Sequence, residues 1–188
     1  MPEKNSLGAF TLVEVLIAIT IFILVVIAIF SLYLSGIGFY RRGTTRGELL
    51  QNGRVILERM SREIRQAREI VTELSETESG ATSTILFEDG HISLNYHYIH
   101  YFQDGDLIKR EVIGYYFSDD QSQTLVPWDS TPPPGQTLER KVLEEAKVIG
   151  EHLQNLEIWG SNLVNIFLTL TEGGETLELR TKIFGRNL

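Results

Sequence analysis

The sequence predicts an α+β fold in which one long N-terminal helix, apolar in its first half and amphipathic in its second, packs on an antiparallel β-sheet. Three observations support this prediction. The stretch from Gly8 to Leu34 contains one charged residue, Glu14. Apolar residues then recur at steps of three and four from Glu48 to Leu74, which is typical of one face of a helix. Short alternating runs separated by turn residues follow from Thr84 onward, as in strands.

The first half of the helix is long enough to cross a membrane. Val15 to Leu34 contains no charge, and only Thr20 and Ser31 are polar. At about 1.5 Å per residue these positions span roughly 30 Å, the thickness of a bilayer's hydrocarbon core. The alternative is a buried core helix in a soluble protein. A helix that is apolar on every face would then need a large surrounding core, which the rest of the chain does not obviously supply.

Glu14 is not explained by a plain membrane span. A carboxylate in the bilayer costs up to about 2.5–3.5 kcal/mol at the centre of a helix and less near its end. We therefore expect a partner cation.

The run GAFTLVE at residues 8–14, followed by an apolar helix, resembles the processing motif of type IV pilins and type II secretion pseudopilins. In that family a small residue precedes a cut, followed by an aromatic residue, Thr, Leu, an aliphatic residue and Glu at the fifth mature position. Cleavage after Ala9 makes Glu14 the fifth mature residue, as in the family, whereas cleavage after Gly8 makes it the sixth. The family usually has Gly immediately before the cut, which would favour cleavage after Gly8. The bond between Ala9 and Phe10 is favoured.

The resemblance implies roles for these residues. Prepilin peptidase would cut before Phe10 and the new amine of Phe10 would be methylated. The carboxylate of Glu14 would then meet the terminal amine of a neighbouring subunit. Further resemblance, to minor pseudopilins of the J class and W-type minor pilins, lies in residues 50–67, in Leu153, Leu156 and Trp159, and in an Arg-Asn ending at residues 186–187.

With this resemblance the chain divides into four parts. Residues 1–9 form a prepilin leader, 10–35 a transmembrane helix, 36–47 a Gly-rich connector and 48–188 a pilin-like globular domain that includes an amphipathic helix at 48–74. The resemblance implies a single-pass protein of the bacterial inner membrane, with its C-terminal domain outside the cytoplasm, assembled into a periplasmic or cell-surface filament. Arg41, Arg42 and Arg46, counted by the positive-inside rule alone, favour the opposite orientation.

The elements beyond the membrane helix follow from local patterns. Thr45 and Glu48 have the spacing of a capping box, which predicts a second helical segment that starts at about Arg46. We expect the polar face of this helix to be exposed to solvent. The alternative is that five arginines on the helix bind an acidic neighbouring protein: Arg54, Arg59, Arg62, Arg65 and Arg68.

Strands are predicted for most of the remaining chain. Their predicted positions are 84–88, a run through Ile92, Leu94, Tyr96 and Tyr98, then 107–117, 153–159, 164–171 and 176–184. Residues 103–106 and the pair Gly173-Gly174 are predicted to turn hairpins. Residues 119–136, which contain Pro127 and three consecutive prolines, are predicted to form a loop. Leu138 to Ile149 is predicted to be weakly helical.

Composition narrows the class of protein. The chain has 188 residues, 43% hydrophobic and 22% charged, which is ordinary globular composition. Residues 71–188 hold eight Lys/Arg and nineteen Asp/Glu, so no direct contact with nucleic acid is expected. There is no cysteine, which excludes disulfides and thiolate sites.

No enzyme or cofactor site is predicted, because no catalytic motif or phosphate loop is recognisable. His91, His97 and His100 are interpreted as exposed or edge-strand imidazoles and not as a metal site. Four aspartates could hold Ca²⁺ through their carboxylate oxygens, but a simple turn is the favoured interpretation. They are Asp104, Asp106, Asp119 and Asp120. The aromatic residues at 96–117 are interpreted as core and cross-strand packing.

The resemblance implies the function of a structural subunit, a minor pilin or pseudopilin that is processed by prepilin peptidase and helps to initiate or cap a type IV pilus or a type II secretion pseudopilus. Its expected partners are prepilin peptidase, other pilin or pseudopilin subunits through the N-terminal helix, the inner-membrane assembly platform and the lipid bilayer. Two alternatives remain open. One is a non-polymerising membrane-anchored sensor or ligand-binding domain, in which Glu14 would be incidental. The other is a DNA-uptake competence pseudopilin.

Overall fold

A computed structural model describes residues 11–90 and 96–185. It has one long helix, a short 3₁₀ turn and seven strands, and the predicted α+β arrangement of an N-terminal helix with antiparallel sheets is confirmed. The chain divides into two compact units between Thr44 and Thr45. The first unit consists of the apolar part of the helix, and the second contains the rest of the helix and all the strands.

Helix α1 runs without a break from Leu12 to Gln66. The predicted fresh start at about Arg46 is wrong, because residues 36–47 are helical throughout. Each glycine there costs about 1 kcal/mol relative to alanine, but none removes a backbone hydrogen bond, as a proline would. The hydroxyl of Thr44 also donates to the carbonyl of Tyr40 at 3.1 Å, one turn back in the same helix.

The helix ends earlier than its apolar periodicity predicts, at Gln66 and not at Leu74. Residues 68–72 turn away and run along strand β1 (Thr84–Glu88). The amide of Val71 donates to the carbonyl of Leu86 at 2.8 Å, and the amide of Glu88 donates to the carbonyl of Glu69 at 2.8 Å. The backbone partners of this segment are therefore in the sheet, which a helical repeat in the sequence could not reveal.

Four strands form the first sheet, in the order β1, β2 (Tyr98–Asp104), β3 (Leu107–Phe117) and β4 (Leu138–Gly150), all antiparallel. The predicted turn between β2 and β3 is confirmed, with Gly105 at φ 63°. The predicted helix at Leu138–Ile149 is wrong, since this segment pairs with β3 along its length. Its Glu, Lys and Ala residues favour a helix, but cross-strand pairing overrides that weak preference.

Three strands form the second sheet, in the order β5 (Leu153–Trp159), β6 (Leu163–Glu172) and β7 (Glu175–Phe184). Gly173 and Gly174 turn the last hairpin as predicted, with φ values of 57° and 83° that only glycine adopts without strain. The pairing of β6 with β7 is continuous over ten residue pairs, without a register shift.

The core of the second unit lies between the helix and the two sheets. The helix contributes residues that are at most 1% exposed, and these belong to the face predicted from periodicity: Leu49, Ile56, Met60 and Ile64. Gly53 and Gly150 allow close approach. A Cβ on Gly150 would lie 2.2 Å from the end of the Ile56 side chain, and one on Gly53 would lie 2.3 Å from Leu179.

Candidate functional site: the apolar helix and Glu14

The described part of the first unit presents an exposed apolar surface. Large hydrophobic side chains from Leu12 to Leu34 are between 46% and 77% exposed. By length and composition this part of α1 could cross a membrane. Its two aliphatic hydroxyls are satisfied within the helix, since Thr20 donates to the carbonyl of Leu16 and Ser31 to that of Ile27, both at 2.9 Å. An apolar surrounding therefore leaves neither hydroxyl unpaired.

Glu14 caps the beginning of α1. Its Oε2 accepts hydrogen bonds from the backbone amide and the hydroxyl of Thr11, both at 2.9 Å. The amide of Glu14 in turn faces the Thr11 hydroxyl oxygen at 3.3 Å. This reciprocal arrangement is a capping box, Thr-x-x-Glu, and it satisfies donors that a helix start leaves unpaired.

The spacing of Thr11 and Glu14 is that of a capping box, but the sequence prediction placed the box at Thr45 and Glu48. That prediction is wrong, because Thr45 and Glu48 have the same spacing but lie within the helix. Both described bonds to the carboxylate end on Oε2 of Glu14. Within residues 11–90 and 96–185, Oε1 has no hydrogen-bond partner, so one carboxylate oxygen remains available after capping.

The neighbourhood of Glu14 is apolar. Val15, Ala18, Ile19 and Phe22 line a shallow depression beside Glu14. The predicted processing residues Gly8, Ala9 and Phe10 lie outside the described residues.

The predicted arginine set separates into two groups. Arg59 lies 3.5 Å from Glu63, and Arg68 lies 3.1 Å from Glu88, so these two bind carboxylates of their own chain. The other three line one groove in the second unit, which is considered below: Arg54, Arg62 and Arg65.

A partly buried charge network ties the second half of α1 to the first sheet. Glu63 Oε2 accepts hydrogen bonds from the Tyr101 hydroxyl at 2.6 Å and from Arg110 Nε at 2.9 Å. Arg110 also donates to Glu144 at 3.2 Å. Burial by itself would lower the pKa of Arg110, but the hydrogen bond and charge of Glu63 outweigh it and raise that pKa. Burial followed by the Glu63 hydrogen bond raises the pKa of Tyr101.

The histidines do not form a metal site among the described residues. His91 lies outside them. His100 Nδ1 lies 2.6 Å from Glu111, and its Nε2 lies 2.7 Å from the hydroxyl of Thr84. Glu111 also accepts a hydrogen bond from Arg140. No cluster of three or more potential ligands exists in the part of the chain that the structure describes.

Two of the four predicted aspartates, Asp104 and Asp120, bind nearby groups of the chain. Asp120 accepts from the amides of Ser122 and Thr124, both at 2.8 Å, and these bonds lower the pKa of Asp120 to about 2. Asp104 lies 2.5 Å from the ammonium of Lys109. Each of these two carboxylates is held by groups within five residues along the chain, as in a turn.

The aromatic residues divide between core and surface. Tyr98 and Tyr101 are fully buried. Tyr98 packs edge-on against Tyr115 at 5.4 Å, and its hydroxyl oxygen accepts the amide of Trp128 at 3.0 Å. This agrees with the predicted packing role.

No protein-family model, no curated protein and no solved structure matches the chain. The functional roles of its residues therefore rest on their own geometry and on the resemblance of residues 8–14.

Proposed function

We propose that this chain is a minor pilin or pseudopilin, a structural subunit that helps to initiate or cap a type IV pilus or a type II secretion pseudopilus. Prepilin peptidase cuts its leader, and the apolar part of α1 then holds it in the inner membrane until it joins the filament. The observation that carries this proposal is a lone carboxylate, Glu14, at the start of an exposed apolar helix.

The aliphatic side chains of α1 and Glu14 have different roles in this proposal. Moving α1 from lipid into a filament of packed helices exchanges one apolar surrounding for another, so the aliphatic side chains give little preference for one register. A charge in that surrounding is costly unless it finds a counter-charge. Glu14 therefore sets the register, by pairing with the terminal amine of the neighbouring subunit.

Capping and pairing are compatible at Glu14. The cap uses Oε2, and Oε1 is left for a cation. The depression beside Ala18 gives a neighbouring chain room to approach the carboxylate. The cap also fixes the side chain against the helix start, so that less conformational entropy is lost when the ion pair forms.

Two substitutions separate the charge from the cap. Glu14→Gln keeps an acceptor for Thr11, since glutamine also serves in capping boxes, but removes the charge. Thr11→Val removes the hydroxyl from the cap but keeps the charge. We expect Glu14→Gln and Glu14→Ala to abolish incorporation into filaments and Thr11→Val to retain it. The readout is the amount of the chain in sheared or purified filaments, at equal membrane levels.

Processing is tested separately by mass spectrometry of the mature protein. The expected N-terminus is methylated Phe10, whereas a mature chain that starts at Ala9 would place the cut after Gly8. An unprocessed Met1 would contradict the proposal. So would full assembly and secretion or piliation with Glu14→Ala, the result expected of a membrane-anchored sensor.

A further inference from the structure

The second unit has four sheet edges, and two of them are covered. Residues 68–72 hydrogen-bond along the outer side of β1. On the outer side of β5, Thr82 and Ile158 exchange amide-to-carbonyl bonds of 3.0 and 2.8 Å, and the amide of Gly160 donates to the carbonyl of Ser75 at 2.7 Å. The edges of β4 and β7 remain.

The two remaining edges differ in regularity. Register shifts interrupt the pairing of β4 with β3, and such bulges discourage the addition of another strand. Strand β7 (Glu175–Phe184) has no proline and pairs with β6 without interruption. Alternate residues of an edge strand direct their N–H and C=O groups away from the sheet, so β7 presents a regular row of backbone groups without a strand partner among residues 11–90 and 96–185.

A groove of about 690 Å³ lies beside this edge. One wall is the amphipathic part of α1, and the other is formed by Leu179, Arg180 and Thr181 of β7. Apolar side chains line it, and one of them, Leu50, is 51% exposed although it lies in a folded domain. Leu57 and Leu179 are the other apolar lining residues.

The groove is cationic in a domain that is otherwise acidic. Three arginines of α1 line it against one glutamate, Glu58, which pairs with Arg54 at 3.5 Å. Arg62 and Arg65 are exposed and have no carboxylate partner within the described parts of the chain. Arg180 contributes no charge to the groove, because strand alternation places its side chain on the other face, 4.4 Å above the Phe167 ring.

We infer that this groove, the arginine groove, binds an extended acidic segment of a partner protein, which adds to β7 as a fourth strand. The unpaired backbone of β7 pairs with the segment. Its carboxylates lie against Arg62 and Arg65, and its apolar side chains cover Leu50, Leu57 and Leu179. A polyphosphate or a lipid surface is disfavoured, because neither has a backbone that can pair with a strand edge.

The test uses the full chain in nanodiscs of phosphatidylcholine and does not depend on the proposed function. The probe is a fluorescent, end-blocked decapeptide with threonine at every second position and glutamate and valine in turn at the others, so that glutamate and valine share the face of the strand that meets α1. Binding is followed by anisotropy. We expect binding that weakens with salt. Two matched probes replace glutamate by glutamine or carry N-methyl groups at alternate amides, and both are expected to bind at least roughly tenfold more weakly.

The protein is varied at sites whose loss does not threaten the fold. Arg62→Gln with Arg65→Gln removes two exposed, unpartnered charges and is expected to weaken the glutamate probe by about tenfold. Lys141→Gln with Lys147→Gln, on β4, is the matched control and is expected to leave the affinity unchanged. Circular dichroism checks that both variants are folded.

Three results would overturn the inference. Equal affinities of the glutamate and glutamine probes would exclude recognition by charge, and full affinity of the N-methylated probe would exclude strand addition. Salt-sensitive self-association of the chain that the arginine double variant abolishes, and with which the probe competes, would assign the groove to a second copy instead.

Discussion

Replacing Glu63 by alanine is expected to loosen α1 from the first sheet. Glu63 is only 14% exposed in its side chain, and it accepts hydrogen bonds from a fully buried phenol, Tyr101, and from a guanidinium that is 13% exposed, Arg110. Its loss leaves both donors without this acceptor in a place that water reaches poorly. Breaking a buried ion pair by removing one partner costs about 3–5 kcal/mol. Because Arg110 keeps its contact with Glu144, we expect about 3 kcal/mol.

The matched control is Glu58→Ala on the same helix. Glu58 and its partner Arg54 are 72% and 76% exposed, so this pair is worth at most about 0.5 kcal/mol. The two variants change helix propensity equally. They differ in the burial of the removed carboxylate.

The assay is urea unfolding of the full chain in detergent, followed by the fluorescence of Trp128 and Trp159 in the second unit. We expect Glu63→Ala to lower the urea concentration at the unfolding midpoint clearly and Glu58→Ala to leave it almost unchanged. Free energies of unfolding that agree within about 0.5 kcal/mol would refute the burial argument, because a solvated Glu63 predicts the same small effect at both positions.

Three further predictions concern the same domain. Burial raises the pKa of Tyr98 to about 12, whereas the pKa of an unfolded tyrosine is about 10. The neutral phenol therefore stabilises the fold fully below pH 10, and roughly 2–3 kcal/mol of the free energy of unfolding is lost as the pH rises from 10 to 12. Tyrosinate absorbance recorded alongside unfolding measures this loss. Gly105→Ala is expected to lower the free energy of unfolding by about 1–2 kcal/mol, because Gly105 has a positive φ. Gly160→Ala is expected to lower it further, because Gly160 also has a positive φ and a Cβ there would lie 2.0 Å from the Leu163 carbonyl, whereas one on Gly105 meets open space. Equal unfolding midpoints of the two variants would contradict this. Ile64→Ala, at a fully buried position, is expected to cost about 2–5 kcal/mol in urea unfolding, and a loss below 1 kcal/mol would contradict its place in the core.

Local patterns predicted those features of the fold that local chemistry controls. The bounds of β1, β3 and β5 were predicted correctly, because alternation and flanking turn residues act within a few positions. The helix end at Gln66 and the strand identity of Leu138–Gly150 were not, since each depends on a distant partner: β1 for the first and β3 for the second.

The candidate site shows the same division. The capping box at Thr11 and Glu14 has a recognisable Thr-x-x-Glu spacing in the sequence, but Thr45 and Glu48 have the same spacing, and the spacing alone does not tell which pair begins the helix. The free edge of β7 beside Arg62 and Arg65 was not readable at all, because no local pattern tells which strand of a sheet is last or which helix lies next to it.

Hydropathy, charge and strand alternation are properties of neighbouring residues, so the amino-acid sequence alone was enough to predict an apolar helix with a single carboxylate followed by an acidic α+β domain. Which charged side chains are covered and which are exposed depends instead on how the sheets pack against α1. Glu63 and Arg62 are adjacent on α1, yet one side chain turns to Tyr101 and Arg110 while the other lines an open groove. The physical reason is that a helix places consecutive side chains about 100° apart, and the position of the sheets decides which of them water reaches.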